Sequence, residues 1–157
     1  MADTPNYYLT KEGLRGLKRE YEELLKMRKL KSKGDVPSVF HSEELSAEFV
    51  AFREDLDLLE SRIEELEHIF KNVELIKPPS PIEKDKIHLG AQIKVEVDGQ
   101  TDEFVLVGTL EANPVMGKIS NESPVGQALL NHQVGDEVTI SSPIKVTYKI
   151  KLIKYQT

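Results

Sequence analysis

Nine apolar residues, Leu45, Phe49, Phe52, Leu56, Leu59, Ile63, Leu66, Phe70 and Val73, recur at alternating intervals of four and three. This is the a/d seam of a coiled coil, about four heptads long. A helix of about 30 residues extends about 45 Å, and such a seam must be covered by another helix. A candidate partner lies just upstream. Thr10 is suited to cap a helix and Glu12 to occupy its first turn, and Leu14, Leu17, Tyr21 and Leu24 continue at helical spacing until Gly34. The reading is an antiparallel hairpin of two helices. The alternative, a parallel pairing of the second helix with its copy, is disfavoured by the matching stripe and the short connection.

The helical period stops at "IKPPSPIEKDK", where three prolines forbid helix and favour an extended spacer. Beyond it the period is two. "AQIKVEV" alternates and is followed by Asp98-Gly99, a hairpin signal, with "TDEFVLVGTL" as the returning strand. "SPVGQALLNHQVGDEVTI" reads as a short helix, a loop and a strand, and "IKVTYKIKLIKY" alternates to the end. The expected class is α+β: a helical hairpin over 1–77 with its tip at about 34–46, a proline-rich linker over 78–83, and a small, mostly antiparallel sheet with one short helix over 84–157.

Composition narrows the chemistry. The chain has no cysteine, which excludes disulfides and thiol nucleophiles, and its four histidines are scattered without metal-ligand spacing. A net charge of −6 argues against coating nucleic acid by bulk electrostatics. No apolar run approaches the length of a membrane span, and "MADTPNYYLT" has no signal-peptide core, so a cytoplasmic protein without membrane contact is expected. Charge is segregated within the helices. Lys26, Arg28, Lys29, Lys31 and Lys33 form a basic block, and Glu54, Asp55, Asp57 and Glu60 an acidic one. Cations late in a helix suit its dipole and opposite charges pair across a hairpin. The same basic block is also a candidate for facing a polyanion.

Three stretches, "YYLTKEGLRGLKREYEEL", "SAEFVAFRED" with "SRIEELE", and "SPVGQALLNHQVGDEV", resemble the bacterial transcript-cleavage factors of the GreA/GreB family, over nearly the whole chain. The resemblance implies an FKBP-like C-terminal domain without isomerase activity that docks on RNA polymerase. It implies a coiled coil that reaches through the secondary channel, and tip acids that help hold a catalytic Mg2+ ion and a water for hydrolysis of backtracked nascent RNA at its 3′ end. Such a factor has no active site of its own, touches DNA only indirectly and is a monomer. The resemblance assigns polymerase binding to Ser123, Pro124 and Gly126, and the basic block Lys26, Arg28, Lys29, Lys31 and Lys33 would face RNA phosphates. Asn121 to Pro124 also reads locally as a turn entering a helix, with Ser123 as cap and Pro124 first.

The tip departs from the family. Its Asp and Glu, three residues apart, fall here on Ser42 and Leu45 when Ala47, Glu48 and Phe49 anchor the alignment. Glu43 and Glu44 lie between them and are the candidate catalytic and Mg2+-sharing acids. An alignment on Gly34-Asp35-Val36 makes Asp35 the candidate instead. A purely local role is also open, with Ser42 capping the second helix and Glu43 and Glu44 complementing its positive end. Stimulation of cleavage is therefore set against a paralogue that occupies the channel and inhibits. A prolyl isomerase is a remote alternative, because residues 84–157 supply only Phe104, Tyr148 and Tyr155 to line an aromatic pocket.

Overall fold

The structure, a computed structural model, describes residues 6–34, 47–141 and 144–156. The chain forms two compact units, one of residues 14–72 and the other of residues 1–13 with 73–157.

The first unit is the helical hairpin. Helix α1 spans Lys11–Lys33 and α2 spans Ala47–Lys71. Their contacts run in opposite directions along the two helices, which makes the pair antiparallel. Glu20 meets Arg62, Tyr21 meets Glu67 and Phe70, and Lys31 meets Asp55 and Phe52. Leu59, Ile63 and Leu66 of the expected seam are buried. Each contributes on the order of 1.5–3 kcal/mol by leaving water. Near its end the seam is shared. Ile69 is buried, while Phe70 packs edge-on to Tyr21 with ring centroids 5.4 Å apart. Positions three and four beyond Leu66 straddle the contact line, so the interval alone does not choose between them.

The second unit is built on a five-stranded sheet. Its strands are β3 (Gln92–Val97), β4 (Gln100–Val107), β5 (Lys118–Ser120), β6 (Glu137–Ile140) and β7 (Val146–Lys154), in the order β5-β4-β3-β7-β6. The pairings β4-β3, β3-β7 and β7-β6 are antiparallel. β5 lies parallel to β4, the one parallel pairing among the described residues of a sheet that is mostly antiparallel, as expected. The connection from β4 is long enough for that, because two 3-10 turns, Thr109–Glu111 and Pro114–Met116, carry the chain back before β5 begins. The β3-β4 turn is the expected Asp98-Gly99 pair, both at positive φ (50° and 79°), as a type I′ turn requires. The short helix α3, Pro124–Leu129, sets Leu129 into a core with Ile87, Ile93, Val95, Leu106 and Ile150. Tyr155 ties the chain end to this core: its hydroxyl donates to the Lys86 carbonyl at 2.5 Å and accepts the His88 N–H at 2.8 Å.

Two three-residue strands, β1 (Tyr7–Leu9) and β2 (Val73–Leu75), pair in parallel and belong to the sheet unit. Residues 1–13 and 73–77, grouped by sequence with the helices, therefore fall with the sheet. β2 takes over where the helical seam was expected to run on to Val73.

Candidate functional site

The resemblance pointed to Ser123, Pro124 and Gly126, and the structure brings them together in one turn. Ser123 caps α3, its hydroxyl accepting the Gly126 N–H at 3.1 Å and donating to the Ser120 carbonyl at 2.7 Å. Pro124 takes the first helical position, where its missing N–H costs nothing. Gly126 is buried, and a Cβ there would overlap the Ser120 carbonyl oxygen, so the approach of α3 to the end of β5 depends on glycine. Behind this turn the Thr109 hydroxyl lies 3.1 Å from that of Ser120 and donates to the Glu122 carboxylate at 2.9 Å. Thr109 and Glu122 were not among the sequence candidates. Residues so far from the Ser-Pro pair, or so ordinary in type, carry no local signal.

The basic block divides by face. Lys31 forms an ion pair with Asp55 at 3.5 Å and its ammonium lies 5.8 Å from the Phe52 ring centre, so it pairs across the hairpin. Lys26, Arg28, Lys29 and Lys33 are exposed. Lys26, Lys29 and Lys33 recur at intervals of three and four, so they share one side of α1. The expected tip acids Glu43, Glu44 and Asp35, with Ser42 and Leu45, lie outside the described residues.

Along the hairpin the best-defined ion pair is Arg62 with Glu20, bidentate at 2.7 and 3.0 Å, with Glu65 on the remaining guanidinium nitrogen at 3.0 Å. The hydrogen bond from Arg62 holds the Glu20 carboxyl below its ordinary range, and Glu20 in turn raises the guanidinium. Among the described residues, no three His, Cys, Asp or Glu are grouped to hold a metal ion. No described helix is long and apolar enough to cross a membrane.

The chain thus inserts a long antiparallel helix pair between β1 and β2 along the sequence, and the short helix of its α+β unit is led by a serine-capped turn. A family profile described as the C-terminal part of transcription elongation factor GreA/GreB matches residues 82–155. Transcription elongation factor GreA of Thermomicrobium roseum is 37% identical over 144 residues, covering 86% of this chain and 88% of that one. GreA of Clostridium acetobutylicum is 36% identical over 160 residues, covering 98% and 100%. Among solved structures, GreA factor homolog 1 (Gfh1) of Thermus thermophilus aligns over 96% of this chain and 99% of its own at 26% identity and a TM-score of 0.42. The chain belongs to the GreA/GreB family of transcription elongation factors.

Proposed function

We propose that this protein stimulates RNA cleavage by bacterial RNA polymerase. The sheet unit docks through the turn at Ser123, Pro124 and Gly126. The helical hairpin enters the secondary channel, and its tip brings Glu43 and Glu44 to the polymerase active centre, with Asp35 as the next candidate. The observation that carries this reading is the 36% identity to a GreA protein over 98% of this chain and 100% of its relative. Carboxylates are hard oxygen ligands that suit Mg2+ and rarely need a complete protein cage, so one or two acids on an arm are chemically sufficient. Glu43 and Glu44 would help hold a magnesium ion of the polymerase, which when bound would supply an activated water for phosphodiester hydrolysis. The exposed cations Lys26, Lys29 and Lys33 are suited to RNA phosphates. The factor itself has no active site, binds no cofactor alone and works in the cytoplasm.

A second reading has a specific observation behind it. Ser42 and Leu45 stand where the family resemblance puts acids, and on that reading the chain fills the channel and inhibits. A cleavage assay on stalled elongation complexes decides between them. Stimulation is expected, and Glu43→Ala with Glu44→Ala should lower it about 100-fold while polymerase binding is retained. Full activity of that double variant moves the assignment to Asp35. Inhibition by the wild-type chain, relieved by Ser42→Asp with Leu45→Glu, establishes the second reading.

A further inference from the structure

In a local capping box, the residue three positions after the cap is Glu or Gln, and its side chain reaches back to the N–H of the cap residue. In α1 the cap is Thr10, whose hydroxyl accepts the Gly13 N–H at 3.0 Å. The box position is thus occupied by Gly13, which has no side chain to offer. The missing carboxylate comes from 101 residues away. Glu111 accepts the Thr10 N–H at 2.7 Å and the Thr10 hydroxyl at 2.5 Å. A Cβ on Gly13 would overlap the Glu111 carboxylate, so the glycine leaves the space that the long-range carboxylate fills.

Glu111 ends the 3-10 turn that begins at Thr109. At the other end of this turn, Thr109 is bonded to Ser120 and Glu122, and Ser120 in turn to Ser123 of the docking turn. Three residues therefore join two hydrogen-bonded groups. One group holds the first turn of α1, and the other holds the cap of α3. Thr10 and Gly13 lie within the sheet unit, so the whole network belongs to one compact body.

We propose that Glu111 is a positioning residue for cleavage, coupling the docking turn to the root of the arm helix by completing its capping box from a distant segment. This rests on the cleavage reading above. A helix cap made locally would stabilise α1 equally well but would leave its first turn independent of the docking turn. The carboxylate suits the site for a further reason, since negative charge at a helix N-terminus is favourable.

The test uses the full chain on stalled elongation complexes. It measures the maximal cleavage rate at saturating factor and the half-saturating concentration, alongside Tm of the free chain. Glu111→Ala should lower the maximal rate about tenfold, with the half-saturating concentration changed less than about twofold. Glu111→Gln, which keeps an acceptor for the Thr10 N–H, should retain most of the rate. The deciding variant is Glu111→Ala with Gly13→Glu, which rebuilds a local box. Recovery of Tm without recovery of rate supports the proposal. Recovery of both overturns it, because Glu111 is then only a cap. A wild-type rate in Glu111→Ala also overturns it. Absence of stimulation by the wild-type chain is a separate result: it removes the cleavage reading and this inference with it.

Discussion

Gly126 is the third residue of α3, and its lack of a side chain sets how closely that helix lies on the end of β5. Gly126→Ala would force a methyl group onto the Ser120 carbonyl oxygen, and neither backbone segment can give cheaply. We expect a loss of about 1–3 kcal/mol, read as a fall in Tm, together with weaker capture of polymerase because the Ser123 cap shifts. An unchanged Tm would mean that the turn adjusts freely and that Gly126 has no structural role. At this scale the sequence is legible wherever the partner is near. Thr10, Ser123, Pro124 and the Asp98-Gly99 turn were all readable, because cap and turn chemistry closes within four residues. Glu111 and Tyr155 were not. Each satisfies a backbone group far along the chain, and a lone Glu or Tyr in a loop announces no partner.

Between elements, the hairpin combines a buried seam with exposed charge pairs, and only the seam is expected to dominate its stability. The Glu20–Arg62 pair is well formed but more than a third exposed on both sides, and such pairs contribute roughly 0–1 kcal/mol. Its pH dependence is nonetheless testable. The hydrogen bond from Arg62 lowers the Glu20 pKa from the ordinary 4.5, so the folded hairpin favours the ionised carboxylate. That contribution is present above pH 4.5 and is lost as pH falls through the lowered value. Wild type should therefore be slightly more stable than Glu20→Gln at pH 7, and thermal melts should show the gap closing in acid. A gap that persists at low pH would assign the effect to packing of the side chain instead. The long elements were legible because periodicity accumulates over many residues. β1, β2 and β5 were missed because three residues make no period. Their pairing is fixed by what lies beside them: β1 approaches Gly108 so closely that a Cβ there would overlap the Tyr8 carbonyl.

At the scale of the whole molecule, the middle of the helical seam is covered within one chain, with Leu59, Ile63 and Leu66 buried in a single copy. A monomer is therefore expected, and light scattering at micromolar concentration should report the mass of one chain. A stable dimer would restore the parallel pairing of α2 with its copy. The mechanism at the tip stays outside what the sequence decides, since two alignments place the acids differently and both obey local rules.

From the insertion of the hairpin between β1 and β2 along the chain we expect an order of assembly. Tyr7 must find Val73, and closing that long loop in one step carries an entropic cost, although one that grows only slowly with loop length. A zipping antiparallel helix pair replaces that single step with a series of short ones, and its completion delivers the two strand ends to one another. During synthesis, at about 5–20 residues per second, both helices emerge before any strand of the main sheet. The core still lacks Ile150 until β7 is made. The unit that holds β1 therefore cannot complete its core until β7 has been synthesised, after both helices of the arm.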